Sequence, residues 1–393
     1  MRGLNAAGRL LPRLAAPSAS AWWDRARREE PLAGAPAPDA VEALDALVRS
    51  LRADATLHLV GRLAAREDTL RMARTHLRIE RALRDDPAIL DTELPAPIFI
   101  LGWPRTGTTF LHTLLACDPA HRTLPYWESF DPVPPREGPD RRPQKLERML
   151  RQLATFAPDY HAIHPMTAHA AEECVALFMN VFRTLQVDIQ YRVPGYVDWL
   201  LRQDARIAYT SYRRQLQLVQ HHRPHGERFV LKDPTHLVHL ETILELFPGA
   251  RLVFTHRDPA RALSSLCSLY AHTRAIFSDD VDAHAIGREI LTGYWPRALA
   301  SALELRERLP AGRVADVRHR DLARDPIGTA ERLYRELGLA LDKPARHAMQ
   351  ELVAAEASAP ASVHEHSPEG FGLEADAIRE RFANYCARFE LAG

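Results

Sequence analysis

Residues 102–109 read GWPRTGTT: a glycine, four residues, a second glycine, then two threonines. Glycines at that spacing let a backbone wrap closely around a phosphate, and the amides that open a following helix then point at the anion. A nucleoside triphosphate loop carries Lys after its second glycine. Here Thr108 and Thr109 fill the last two positions. The full charge in the loop belongs to Arg105, whose planar fork of N–H donors suits an oxyanion. Arg105, Thr106, Gly107, Thr108 and Thr109 are therefore the candidate anion-binding residues.

Three further stretches carry chemistry. In LVFTHRDPARALSSL an apolar run ends at Thr255–His256, and Arg257 follows where ligands of open parallel sheets bind. Ser265 lies eight residues on, about two helical turns away. A phosphoryl-transfer enzyme would end such a strand in an acid that organises Mg²⁺. This chain has His-Arg there, so neither the loop lysine nor the metal acid is in place. In RFVLKDPTHL, Lys232 closes another apolar run, at a place where it would stabilise charge developing on a transferred group; His236 opens the next helix. In PYWESF, Glu128 stands beside Trp127, where partial burial would raise a carboxyl toward general-base work.

These residues need a scaffold. APIFILGWP changes the period of the chain to a short β run ending at Gly102, followed by helical spacing through Phe110, Leu111, Leu114 and Leu115. Further strands are read at 228–232, 251–256 and 313–318, with helices at 236–247 and 259–275 between them. Strand–helix alternation implies a parallel sheet covered on both faces. Residues 40–90 form two or three helices by the spacing of their leucines, starting after the breaker GAPAPDA. A long insertion, 118–226, separates the first two strands; it holds a Pro-rich surface stretch and an apolar helix over 172–186. The expected fold class is α/β, a three-layer P-loop-type sandwich, with a helical extension over 1–92, a main domain over 93–393, and 118–226 as lid or substrate insertion.

Composition narrows the function classes. Lys+Arg and Asp+Glu number 51 each, so no global field favours nucleic acid. The four cysteines are scattered with no CxxC pair, which fits a reducing, cytoplasmic setting and argues against a zinc site. No apolar run is long enough for a membrane span. The first 23 residues are rich in Arg and Ala and carry no acid, in the manner of a transit peptide or of a frayed amphipathic start. His364 and His366 suggest a metal only weakly, because no third ligand is evident.

Taken together, the motifs resemble the sulfotransferase superfamily that uses 3′-phosphoadenosine 5′-phosphosulfate (PAPS), over most of the chain from about residue 95. PRTGTT is similar to that family's PRSGTT or PKSGTT loop, which holds the 5′-phosphosulfate. Arg257 and Ser265 match its 3′-phosphate pair. KDP and FPGARLVFTHRDP are similar to the tyrosylprotein branch and to a large bacterial group. The resemblance implies in-line, metal-independent sulfuryl transfer to a hydroxyl of a small-molecule, lipid or glycan acceptor. Arg105 and Lys232 would then stabilise the bridging oxygen, and the proton would go to Glu128 or, as the alternative, to His236. VRHRDLARDP resembles the family's adenine-contacting Tyr-Glu-x-Leu strand, with His319 where the family has Tyr. The apolar helix and N-terminal helices hint at a bulky hydrophobic alcohol and at peripheral membrane contact. A divergent P-loop kinase and a catalytically silent nucleotide-binding module are the competing readings.

Overall fold

In the computed structural model, residues 18–156, 166–358 and 366–391 are described. Most of the transit-like start and His364 lie outside them. The chain opens with three helices, α1 (Ala19–Glu29), α2 (Pro38–Ala53) and α3 (Leu59–Asp85). Strand β1 (Ile98–Gly102) leads through the glycine loop into α4 (Thr108–Leu115), then β2 (His121–Arg122) and α5 (Tyr126–Phe130). The insertion contributes α6 (Val175–Met179), α7 (Gln186–Tyr191) and α8 (Ala205–His222). Next come β3 (Arg228–Lys232), α9 (Leu240–Leu246), β4 (Arg251–His256), α10 (Pro259–Ala275), α11 (Tyr294–Arg306), β5 (Val314–Arg318), α12 (Pro326–Glu336) and α13 (Lys343–Ser358).

The five strands form one parallel sheet in the order β2-β3-β1-β4-β5. Side chains alternate across it. Phe99, Leu101, Phe229, Leu231, Leu252 and Phe254 enter one apolar cluster with residues of α8 to α11. Ile98, Ile100, Val230, Val253, Ala315 and Val317 enter another with α4 and α12. A sheet buried on both faces is the three-layer sandwich, and it accounts for strands that read as continuous apolar runs. The two-residue edge strand β2 is too short to carry any periodicity, so it had no signature in the sequence.

Helices α1 to α3 share an apolar cluster with residues 179–200 of the insertion; Trp23 meets the Phe182 ring edge-on at 5.5 Å. The insertion corrects one expectation. Residues 172–186 hold one five-residue helix, α6, followed by a kink, and α7 begins only at Gln186. Phe182 sits in the left-handed region at φ 56°, and its carbonyl accepts from the Tyr196 hydroxyl at 2.6 Å instead of closing a helical turn. The Thr184 backbone N–H donates to the same Tyr196 hydroxyl at 3.0 Å, and the Asn180 side-chain amide donates to Gln215 at 3.0 Å. Tertiary partners have captured the groups a helix needs. The helix expected from 236 likewise begins as a 3₁₀ turn, Pro234–His239, before α9. Among the described residues, no helix is long and apolar enough to cross a membrane.

Candidate active site

The glycine loop is shaped by its approach to β4. Gly102 has φ 146°, and a Cβ there would lie 2.2 Å from the Thr255 hydroxyl. Gly107 has φ 92° and caps α4; the left-handed turn at this point is what aims the first amides of α4 outward. Arg105 also adopts a positive φ, 70°. Left-handed backbone at a non-glycine is costly and concentrates at functional sites. Thr106 pins the loop from beneath, its hydroxyl 2.6 Å from the Trp103 carbonyl and 2.6 Å from the Thr255 hydroxyl. Its side chain is therefore committed to the sheet, and the anion-binding part read for Thr106 falls to its backbone N–H.

A cavity of about 270 Å³ opens over the carboxyl ends of β1, β3 and β4. Arg105, Gly107, Thr108, Thr109 and Arg257 line its anion side. The Arg105 Nε donates to the Ser265 hydroxyl at 3.0 Å, and Arg257 donates to the Arg105 carbonyl at 2.8 Å. Loop, strand end and helix α10 thus converge, and Ser265 reaches the group through Arg105. Burial pulls the guanidinium pKa of Arg257 down, and the charges of Arg105 and Arg261 add to that. Gathering like charges at one point is unfavourable unless an anion joins them. His319 completes this wall; burial and the charges of Arg257 and Arg261 push its pKa down to about 4, so it is neutral at pH 7.

Lys232 is fully buried at the end of β3 and reaches the Thr109 hydroxyl at 3.4 Å and the Glu173 carboxylate at 2.8 Å. Burial alone would depress its pKa, yet Glu173 and Glu172 outweigh that and hold it above the ordinary lysine value. It is an ammonium. Glu173 was not singled out from the sequence. It is placed by backbone pairing: Glu172 N donates to the Leu124 carbonyl at 3.0 Å, and Cys174 N donates to the Lys232 carbonyl at 3.0 Å. That pairing joins residues far apart in sequence and left no local signal. Asp233 also lines the cavity, one oxygen accepting from the Thr235 amide at 2.9 Å and the Thr235 hydroxyl at 2.7 Å. Burial, then the nearby Glu173 charge, pushes its pKa up to about 7.

The two candidate bases lie elsewhere. Glu128 on α5 is buried in an ion pair with Arg122 at 3.1 Å, with Arg223 at 3.8 Å, and is absent from the cavity lining. It closes off β2 instead of facing a substrate. His236 is fully buried, boxed by the rings of Phe99, Phe178, Tyr209 and Tyr212, with its Nδ1 2.8 Å from the Tyr209 hydroxyl. Burial pushes its pKa down to about 3. Neither side chain lines the cavity over the sheet, and both are held by buried partners of their own. Beyond Glu173, the cavity is walled by Gln186 and Ile189 of α7, by Leu266, Leu269 and Thr273 of α10, and by Trp295. Among the described residues, no three His, Cys, Asp or Glu side chains converge on a metal position; His366 instead pairs with the Ser264 hydroxyl.

Fold and site define a P-loop-type α/β protein with a cationic cavity at the carboxyl edge of its sheet. The chain belongs to the sulfotransferase family, whose model matches residues 97–343. It is 28% identical over 261 residues to the omega-hydroxy-beta-dihydromenaquinone-9 sulfotransferase Stf3 of Mycobacterium bovis, and equally to its counterpart in Mycobacterium tuberculosis. That alignment takes in 62% of this chain and 63% of the relative, so the chain spans under two thirds of the length of these relatives. The crystal structure of sulfotransferase STF1 from Mycobacterium tuberculosis is 31% identical and superposes with a TM-score of 0.76, covering 94% of this chain and 99% of that one. STF9 from Mycobacterium avium, at 24% identity, shares the fold with a TM-score of 0.80 over 95% and 97% of the two chains.

Proposed function

We propose that the protein transfers a sulfuryl group from PAPS to the hydroxyl of an apolar small-molecule or lipid acceptor, in the cytoplasm or at a membrane surface. The observation that carries this reading is the convergence of Arg105, Arg257, the first residues of α4 and the carboxylate of Glu173 on one cavity, with the buried Lys232 ammonium bonded to two of its lining residues, Thr109 and Glu173. The donor set suits a doubly anionic nucleotide: Arg257, with Ser265 and Arg105, for the 3′-phosphate, and the loop for the phosphosulfate. The family relation supports the reaction class, and the relatives' printed acceptor, a menaquinone-derived alcohol, fits a wall of Ile189, Leu266, Leu269 and Trp295.

In the proposed step the acceptor oxygen attacks sulfur in line with the departing bridging oxygen. Its proton passes to Glu173, which takes the role first read into Glu128 or His236. Lys232 and Arg105 stabilise the charge growing on the bridging oxygen, and adenosine 3′,5′-bisphosphate departs. Lys232 bonds Glu173 before substrate arrives; shifting toward the bridging oxygen would release the carboxylate to act as base. The test is turnover of radiolabelled PAPS over hydroxylated lipids, quinols, sterols and sugars. Label in an apolar product supports the reading; no labelled product across the panel from a protein that binds the bisphosphate speaks for a silent nucleotide-binding module.

A further inference from the structure

Arg183 is 3% exposed, at the kink that Phe182 puts into the insertion. One guanidinium nitrogen has partners: it donates to the Asp39 carbonyl at 3.3 Å and lies 4.0 Å from the exposed carboxylate of Glu42. Its plane rests over the Trp199 ring at 5.1 Å. The other two nitrogens, Nε and Nη1, are buried with no hydrogen-bond partner. Three N–H donors on a buried cation without acceptors is an expensive arrangement, and a group so placed calls for a ligand.

A small cavity of about 30 Å³ adjoins Arg183. Its walls are apolar on one side, with Phe178, Leu185 and Leu200, and polar at Thr184, Gln203 and Thr235. The carboxylate of Asp204 is also at its edge, already engaged by the amide of Arg206 at 2.9 Å and by its guanidinium at 3.0 Å. A water needs roughly 10–15 Å³ of such space, so the cavity holds about two water-sized groups, which is the size of a carboxylate. It does not stand apart from the reaction cavity. Thr235 lines both, and the turn before α7 divides them, with Leu185 facing the small cavity and Gln186 the large one.

We infer that this is a subsite of the acceptor site and that it receives a carboxylate at the end of the acceptor remote from the reacting hydroxyl. The inference rests on the sulfuryl-transfer reading for the hydroxyl end. The acceptor enters with its hydroxyl at Glu173 and Lys232, lays its apolar middle against the α7 turn, and delivers its acid past Thr235 to Arg183. An arginine offers donors only, so it selects an acceptor oxygen, and its buried charge selects an anion over a neutral carbonyl.

The experiment titrates wild-type protein, saturated with adenosine 3′,5′-bisphosphate, with straight-chain ω-hydroxy acids of 6 to 16 carbons and with diols of the same lengths. At the length that spans the two cavities, the hydroxy acid binds at least about tenfold more tightly than its diol. Arg183→Met abolishes that advantage while bisphosphate affinity stays unchanged, and Arg183→Lys keeps part of it. An acid that never outbinds its diol at any length, or an advantage that survives in Arg183→Met, overturns the inference. The bisphosphate titration on the same samples reports the donor site separately, so a failure of the transfer reading shows up there and not in the acid–diol comparison.

Discussion

At the scale of single residues, Lys232 stays charged while fully buried. It does so because Glu173 lies 2.8 Å away, and this pairing makes the two residues one functional unit. Lys232→Ala or Arg105→Ala lowers turnover by about 10²–10³-fold, the loss seen when one preorganised donor to a developing oxyanion is removed. Glu173→Gln lowers kcat by about 10²–10⁴-fold with the bisphosphate still bound. Glu128→Gln gives the opposite signature. It breaks a buried ion pair with Arg122, costs about 3–5 kcal/mol of stability, and leaves the turnover of the folded fraction near wild type. Asp233 adds a pH test. Its pKa is raised from the unfolded value to about 7, so the folded chain binds more protons than the unfolded chain between the two values, and stability falls as pH rises through that window. Urea unfolding at pH 5 and pH 8 therefore shows the stability of Asp233→Asn, relative to wild type, moving in the variant's favour at the higher pH.

At the scale of elements, the loop between β1 and α4 holds its shape by contact with β4. Gly102→Ala forces a side chain to within 2.2 Å of the Thr255 hydroxyl at φ 146°, and the expected cost is at least about 2 kcal/mol in urea unfolding. Gly138→Ala, also at positive φ but with nothing within 4 Å, pays only the backbone term of about 1 kcal/mol. Four of the five strands, the glycine loop and α10 were legible in the sequence because each carries a local pattern: an apolar run, a glycine spacing, a helical period. The residues proposed for the anion half carry local patterns too: Arg105 sits in the glycine loop, Thr109 opens α4, and Lys232 and Arg257 stand at the ends of β3 and β4. Glu173 was hidden because its position comes from pairing with Leu124 and Lys232 across the insertion. Glu128 and His236 misled because a sequence motif says which element a side chain sits on and nothing about the direction it faces. The broken helix over 172–186 failed similarly, the backbone groups of Phe182 and Thr184 being claimed by Tyr196 from elsewhere in the chain.

At the scale of the whole molecule, several neutral histidines are buried, His112 and His236 against the sheet and His76 among the N-terminal helices. Burial pushes the pKa of His112 and His236 down to about 3 and that of His76 to about 4. The unfolded chain takes up these protons first, so the stability they confer is complete above about pH 6.5 and is lost as pH falls from there toward 4. The raised carboxyl of Asp233 acts the other way in this range, so the decline is read as a difference: chemical unfolding from about pH 7.5 to 5 should show wild type losing stability relative to His76→Gln. The apolar cluster shared by α1, α2, α3 and residues 179–200 ties the N-terminal helices to the wall that carries Arg183 and Gln186, so that wall is held by two segments far apart in the sequence. The central claim is that the cavity is built for a bisphosphate nucleotide and not for a metal-bound triphosphate. Thermal unfolding with adenosine 3′,5′-bisphosphate, compared with ATP plus Mg²⁺, tests it most directly. At 100 times its dissociation constant the bisphosphate should stabilise the protein by about 2.7 kcal/mol, and Arg257→Ala should erase the shift. No stabilisation by the bisphosphate, or a larger one by ATP with Mg²⁺, would contradict the account.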